Sequence, residues 1–271
     1  MHRFYVAPEN WDPLGLALRG SEAHHARNVL RMQAGDKLVL FNGEGRELTA
    51  EITNVAVDEI RLRKLHESEM APLRCRIVLG QAIPKGKNMD LIVQKAVEIG
   101  AAEIAPIISD RTIVQLDSEG ASQKQTKWQQ IAIEAAKQCC QNWLPRVCRP
   151  RKLADFLAAV EAGGSSTESH AKQPTRLPLQ KDIGQFDLRL IGSLQPDAQH
   201  LKKILAAYSS EHGNRPNSVL MLVGPEGDFT PAELALARRY GCQPITLGPI
   251  ILRVETAAIY CLSVLSYELL I

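Results

Sequence analysis

Residues 219–271 of this chain read VLMLVGPEGDFTPAELALARRYGCQPITLGPIILRVETAAIYCLSVLSYELLI. Two short apolar runs, residues 219–223 and 244–247, each lead into a Gly-Pro turn, and a helical pattern follows each turn. Such runs are typical of strands that are buried on both faces of a parallel sheet. Because open α/β sheets bind ligands at the carboxyl ends of their strands, the sequence predicts an α/β fold with two ligand loops here.

The start of the helix after the first turn is indicated by Thr230, Pro231 and Glu233. Thr is a good capping residue, Pro fits the first helical position, and Glu three residues after the Thr completes a capping box. We therefore expect a helix that starts at Thr230 and ends near Gly241.

The two turns and their surroundings resemble a known family. The stretch GPEGDFTPAE, followed by LGPIILRVETA at residues 247–257, is similar to the RsmE family, methyltransferases of the SPOUT class that use S-adenosylmethionine to methylate N3 of a uridine in 16S ribosomal RNA. Residues 3–6, 24–32, 95–100 and 134–138 resemble further family signatures in the same order. Four ordered matches along nearly the whole chain are far more specific than any one of them.

The resemblance implies two domains. Residues 1–71 would form a PUA-like RNA-binding β-barrel, and residues 72–271 an α/β SPOUT methyltransferase domain with a trefoil knot at its carboxyl end. The residues themselves predict several short strands with one helix in the first part, and alternating strands and helices in the second. That alternation alone would predict a doubly wound sheet without a knot, so the knot rests on the resemblance, as does a homodimer formed through the knotted domain.

Composition limits the class of protein. Of 271 residues, 45% are hydrophobic and 23% charged, which is ordinary for a soluble globular protein. No apolar run approaches the roughly 20 residues of a membrane helix, and the start lacks the apolar core of a signal peptide. The six cysteines form no C-x-x-C pair. We therefore expect a cytoplasmic protein with reduced thiols, no metal site and no membrane partner.

The charge distribution indicates where RNA would bind. The chain has a net charge of only +2, but residues 71–151 carry twelve Lys and Arg against seven Asp and Glu. This basic excess could contact phosphates, or it could be an ordinary solvated surface. Together with the resemblance, it predicts 16S ribosomal RNA or the 30S subunit as partner, with contacts at Arg3, His25, Arg27, Arg31, Lys85, Lys87 and Arg111.

The cofactor implied by the resemblance is S-adenosyl-L-methionine. Loops whose amides must approach a ligand closely need residues without a Cβ, so the glycines of three strand ends are the first candidates. The predicted binding residues, acting mostly through backbone groups, are Gly192, Ser193, Leu194, Leu222, Gly224, Pro225, Glu226, Gly227, Leu247, Gly248, Ile251, Leu252 and Thr256.

The implied chemistry requires few catalytic side chains. Catalysis consists mainly of holding the uracil nitrogen in line with an activated methyl group and removing its proton. Arg253 could stabilise negative charge on the uracil oxygens. Glu226 could act as a general base or shape its own turn, and Glu255 could serve catalysis or stabilise the start of the last helix.

Two other enzyme classes have little support in the sequence, and one non-catalytic class is an alternative. Residues 80–88 resemble a nucleotide P-loop only faintly, because the spacing is wrong and Asn88 replaces the required hydroxyl residue. No dinucleotide fingerprint supports a dehydrogenase. The alternative is a non-catalytic RNA-binding or ribosome-assembly protein that retains the knotted fold. Ile250, Gln141 and Asp228 depart from the family pattern, which affects the expected placement of the RNA rather than cofactor binding. The sequence of residues 163–181 is polar and lacks periodicity, which predicts a surface loop.

Overall fold

The computed structural model describes residues 1–12, 15–113, 117–162 and 186–270. They form two compact units: the first comprises Met1–Pro72 with Ile133–Leu144, and the second Leu73–Ala132 with Pro145–Ile271. The surface loop predicted at residues 163–181 lies outside the described residues.

The first unit is built on a five-stranded sheet, in the order β1-β3-β4-β5-β2. The pair β1-β3 is parallel and the others are antiparallel. The one helix predicted in this part has its pattern at residues 21–31, and the α-helix is shorter because it passes into a π-helical turn at His25–Val29. The elements are β1 (His2–Tyr5), a 3-10 turn (Pro8–Asn10), β2 (Ala17–Arg19), α1 (Gly20–His24), β3 (Lys37–Phe41), β4 (Arg46–Val55) and β5 (Glu59–Glu69).

Side chains from all five strands and α1 form the core of this unit. Phe4, Leu40, Leu48 and Ile60 are among those excluded from solvent. Strands β1 and β2 were absent from the sequence prediction, because four- and three-residue segments carry too little alternation to be recognised.

Residues 133–144 complete the first unit through backbone contacts with the β3–β4 turn. The Gly45 N–H donates to the Asn142 carbonyl at 3.0 Å, and the Leu144 N–H donates to the Gly43 carbonyl at 2.9 Å. A Cβ at residue 45 would lie 2.7 Å from the Met70 carbonyl oxygen, so only glycine fits this close approach.

The second unit contains an all-parallel sheet with the order β11-β13-β10-β12-β6-β7-β8, and β9 also pairs with β7. The predicted α/β architecture is confirmed. The elements are β6 (Arg76–Ala82), α2 (Asn88–Ile99), β7 (Glu103–Ile108), α3 (Ser118–Cys139, whose end belongs to the first unit), β8 (Arg146–Val147), β9 (Arg151–Lys152), α4 (Leu153–Glu161), β10 (Leu188–Gly192), β11 (Gln199–His200), α5 (Leu201–His212), β12 (Ser218–Val223), α6 (Pro231–Arg239), β13 (Gln243–Thr246) and α7 (Val254–Leu269).

Helices cover the buried central strands of this sheet. One core joins β6, β7, β10 and β12 to α4 and α6, while α7 packs on α2, β6 and β12. The sequence pattern of residues 196–207 predicts a helix, and the start of this prediction is wrong. The helix begins at Leu201, because Gln199 and His200 pair with β13 as strand β11. No helix in the described ranges is both long and apolar enough to cross a membrane.

Candidate functional site

Three loops meet at one edge of the parallel sheet in the second unit. Strand β10 lies between β12 and β13, so the carboxyl ends of all three strands point to the same edge. The loops that follow them line a cavity of about 500 Å³ together with the start of α7 and Asn88. That volume lies within the usual range for small-molecule sites.

The lining includes all but two of the residues predicted to bind the cofactor. It contains Gly192, Ser193, Leu194, Gly224, Pro225, Glu226, Gly227, Leu247, Gly248, Ile251 and Leu252. The structure places Leu222 in the buried core of β12 and leaves Thr256 exposed on the first turn of α7. Neither belongs to the lining, where the adjacent residues Val223, Glu255 and Ala257 do.

The turn after β12 is tied to the loops after β6 and β7. The Glu226 carboxylate accepts a hydrogen bond from the Lys85 backbone N–H at 3.1 Å. The Arg111 guanidinium donates to the carbonyls of Gly227 and Asp228, the second at 3.2 Å. The structure therefore gives Arg111, a predicted RNA contact, a structural role in holding this turn.

The capping box predicted at the start of α6 is present, and its Glu233 also contacts the loop after β7. The Thr230 hydroxyl accepts from the Glu233 N–H, and the Glu233 carboxylate accepts from the Thr230 N–H at 2.8 Å. The other carboxylate oxygen of Glu233 accepts the Asp110 N–H at 2.9 Å. Because Glu233 is only 6% exposed, these backbone donors satisfy a buried carboxylate and join the start of α6 to the loop after β7.

The three candidate catalytic side chains all line the cavity. Arg253 is the N-cap residue of α7 and is exposed; in the described part of the chain its guanidinium has no hydrogen-bond or ion-pair partner. Glu255 accepts a hydrogen bond from the Asn88 amide at 3.1 Å, which joins the start of α7 to the start of α2. Arg253 is thus available to a ligand, whereas Glu255 has a structural partner.

Carboxylates exceed cations around the cavity. Glu226, Asp228 and Glu255 line it together with one guanidinium, that of Arg253. This arrangement favours a small ligand that carries positive charge. Among the described lining residues, Arg253 is the one cation that can face an electron-rich second substrate.

Comparison with known proteins gives the family. The family described as "RNA methyltransferase domain" matches residues 71–266, and the one described as "RNA methyltransferase PUA domain" matches residues 18–65. A Buchnera aphidicola (subsp. Schizaphis graminum) relative named ribosomal RNA small subunit methyltransferase E is 30% identical over 256 residues, covering 93% of this chain and 90% of that protein. The chain belongs to the ribosomal RNA small subunit methyltransferase E family.

Other members of the methyltransferase E family support the same conclusion. The Bacillus subtilis (strain 168) protein is 29% identical over 255 residues, covering 93% of this chain and 90% of its own length. A crystal structure of the Neisseria gonorrhoeae family member, bound to S-adenosyl methionine, has a TM-score of 0.77 and 30% identity. The match covers 99% of this chain and 98% of that one. The mixed α/β fold and the PUA-like N-terminal region are therefore those of the family.

The predicted RNA contacts in the first unit have different environments. The Arg3 guanidinium donates to Glu47 at 2.7 Å and to the Asn142 side chain, and it lies over the Phe41 ring; its side chain is only 9% exposed. His25 is half-buried against the edge of Phe4. Arg3 therefore stabilises the unit from within and offers little surface to RNA.

The remaining predicted RNA contacts are more accessible. Arg27 is half-buried and donates to the Val57 carbonyl at 2.9 Å. Arg31, Lys85 and Lys87 are exposed. Lys85 and Lys87 flank the turn that leads from β6 into α2.

Four cysteines in this methyltransferase E chain have raised pKa values. Burial raises the pKa of Cys75, Cys242 and Cys261 to about 12. Burial, followed by the charge of Glu103, also raises the pKa of Cys148, whose thiol donates to the Glu103 carboxylate at 3.1 Å. Protonated thiols are unreactive, so these four residues have packing roles.

Sequence reasoning missed four residues of the lining: Asn88, Asp228, Val254 and Ala257. Val223 and Ile250 lie within the strand-end segments predicted to bind the cofactor, whereas Asp228 was noted only as a departure from the family pattern. A signal was available for Asn88, because a polar residue at a helix start that follows a strand points toward the ligand edge of an α/β sheet. The apolar residues carry no such signal.

Proposed function

We propose that this chain uses S-adenosylmethionine to methylate N3 of a uridine in 16S ribosomal RNA. The observation that carries the proposal is the convergence of three strand-end loops on one cavity. It is supported by the Neisseria gonorrhoeae family member, which binds S-adenosyl methionine.

The backbone geometry of the loops that line the cavity suits this cofactor. A Cβ at Gly224 would lie 3.2 Å from both the Asp228 carboxylate and the Phe229 nitrogen, so the turn is already crowded on its protein side. Gly248 has a φ of +111°, a conformation that residues with a Cβ rarely adopt. Both loops can therefore present backbone groups at close range to an adenosine and an amino acid moiety.

When bound, the cofactor supplies an activated methyl group on a sulfonium. The transfer forms a bond between the methyl carbon and uracil N3, breaks the carbon–sulfur bond, and releases the N3 proton. Arg253 stabilises the negative charge that develops on the uracil oxygens, because its guanidinium is exposed at the cavity. Glu226 and Glu255, which line the same cavity, are the candidate proton acceptors.

RNA would bind through the PUA-like first unit and the basic surface that includes Lys85 and Lys87. The proposed substrate is free 16S ribosomal RNA or the 30S subunit. Because ribosomal subunits are found in the cytoplasm, the proposed location of the protein is cytoplasmic. The domains proposed for these roles are residues 1–71 and 72–271.

The proposed assembly is a homodimer formed through the second unit. Helix α7 leaves Tyr260 48% and Tyr267 72% exposed, seven residues apart and thus on one helix face. A second copy of this chain would cover them. A monomeric mass by light scattering at micromolar concentration would contradict this assembly.

The proposed topology is the trefoil knot of the SPOUT class. The support for it is that the chain belongs to the methyltransferase E family. An experimental structure traced through residues 186–270 tests whether α7 passes through a closed loop.

A methyl-transfer assay tests the function directly. Purified protein, labelled S-adenosylmethionine and 30S subunits lacking the modification should yield 3-methyluridine, detected by mass spectrometry of nuclease digests. RNA binding with no methyl transfer would support the non-catalytic alternative instead.

A further inference from the structure

Asp228 has a backbone conformation that its side chain does not favour. Its φ is +69°, in the left-handed region, although it has a Cβ. Non-glycine residues in this region are uncommon and persist where the surrounding structure holds them. Asp228 lines the cavity in the turn after β12, so the unusual conformation lies within the candidate site.

The Asp228 carboxylate joins two loops of the site. One oxygen accepts the Leu194 backbone N–H at 3.1 Å, and the other accepts the Phe229 N–H at 2.8 Å. Leu194 belongs to the loop after β10, whereas Phe229 belongs to the same turn as Asp228. The bond to Leu194 therefore spans two strand ends that both line the cavity, and bonds of this type are stronger than neutral ones because the acceptor is charged.

The same turn is held from its other side by Arg111, which donates to the carbonyls of Gly227 and Asp228. Asp228 is thus fixed through its backbone carbonyl and uses its carboxylate to fix Leu194. The Leu194 side chain is 60% exposed, so few apolar contacts hold this loop in place.

We propose that Asp228 is a positioning residue for the cofactor, which holds the Leu194 loop in its binding geometry before the ligand arrives. This inference rests on the proposed function. A loop ordered in advance loses less conformational entropy on binding, so the affinity is higher than for a loop that must be ordered by the ligand. Because the Leu194 N–H already donates to Asp228, it is not free to donate to the ligand. The loop therefore contacts the ligand through its other groups and its shape.

The experiment compares Asp228→Gly and Asp228→Asn with the wild-type full chain. Calorimetry measures the affinity for S-adenosylmethionine and its demethylated product, and thermal unfolding without ligand measures stability. Glycine accepts the left-handed backbone but removes both carboxylate bonds, so affinity should fall about tenfold without a lower unfolding temperature. Asparagine tolerates the backbone and keeps one acceptor oxygen, so its affinity should be intermediate.

The matched control is Cys140→Gly. Cys140 is another non-glycine residue in the left-handed region, with a φ of +60°, and it is exposed in the first unit. This change relieves backbone strain away from the cavity and should leave cofactor affinity unchanged.

Kinetics separate positioning from a merely structural role. With the cofactor saturating, Asp228→Gly should transfer methyl groups at nearly the wild-type single-turnover rate while its KM for the cofactor rises. Wild-type affinity in Asp228→Gly would overturn the proposal. If that variant unfolds at a lower temperature, Asp228→Asn decides: intermediate affinity supports the proposal and wild-type affinity overturns it. Failure of the wild-type chain itself to bind either nucleoside would contradict the proposed function instead.

Discussion

The backbone N–H of Lys85 donates to the Glu226 carboxylate at 3.1 Å, across 141 positions of sequence. This bond fastens the loop after β6 to the turn after β12, and the two strands are neighbours in the sheet. A carboxylate oxygen that accepts this backbone N–H is already engaged in holding two loops together. Of the two roles considered for Glu226, the contact therefore favours shaping of the turn.

Glu226→Gln should retain most activity, because the amide oxygen can still accept the Lys85 N–H. Glu226→Ala removes the acceptor, so affinity for S-adenosylmethionine should fall about tenfold as the turn loses its anchor. Calorimetry and single-turnover methyl transfer measure the two effects. A drop of 100-fold or more in the rate of Glu226→Gln at saturating cofactor would identify Glu226 as the general base instead, a magnitude typical of general-base catalysis.

Much of the site could be predicted because its signals are local. The turns around Gly224 and Gly248 are marked by glycine next to proline, and the capping box at Thr230 is a pattern of four residues. The contacts made by Arg111, Asn88 and Asp228 join loops or helix starts that are more than 30 positions apart in sequence. Nothing in the periodicity of the sequence indicates such partners, so Arg111 was predicted to contact RNA from the basic excess around it and the family resemblance.

The short strands escaped prediction for a related reason. Strand β11 consists of Gln199 and His200, both exposed, and exists because β13 offers a partner. Pairing of this kind is a tertiary effect that local propensity does not carry. It moved the start of α5 to Leu201.

Gly248→Val should abolish cofactor binding while the protein stays folded. The residue has a φ of +111° in the cavity lining, so a branched side chain forces the loop into another conformation. Gly213→Val is the matched control, because Gly213 also has a positive φ and open space around it but lies at the end of α5. Both variants should lose about 1 kcal/mol of stability from backbone strain. Equal cofactor affinity in the two variants, measured by calorimetry, would remove Gly248 from the site.

Thiol labelling should detect one fast-reacting cysteine in the native protein. Thiol reagents attack the thiolate, and at pH 8 a group with a pKa of about 12, as for Cys75, Cys242 and Cys261, has a thiolate fraction of about one in ten thousand. Cys140 is exposed. Cys140→Ser should therefore remove the fast phase, and denaturant should release the buried thiols. Fast labelling that survives in Cys140→Ser would contradict this assignment.

Charge reversal at the turn between β6 and α2 should weaken RNA binding and flatten its salt dependence. Lys85→Glu and Lys87→Glu each remove one proposed phosphate contact, so the slope of log affinity against log salt should decrease by about one for each change. Lys202→Glu, at an exposed lysine of α5, is a control of equal charge change. Filter binding across a salt series with 16S ribosomal RNA makes the comparison. An equal effect of all three variants would show that only net charge matters.

Arg253→Ala should lower the rate of methyl transfer well beyond any loss of RNA affinity. The guanidinium is exposed at the cavity, and its proposed contact with the uracil oxygens strengthens only as negative charge develops on the base. Loss of one such electrostatic donor typically costs about 100-fold or more in rate. Single-turnover methyl transfer at saturating RNA and cofactor is the measurement, and Arg239→Ala, at an exposed arginine of α6 outside the lining, is the control. Arg253→Lys keeps the charge but not the planar fork, so it should recover part of the rate. A wild-type rate in Arg253→Ala would make Arg253 structural and return the catalytic assignment to Glu226 or Glu255.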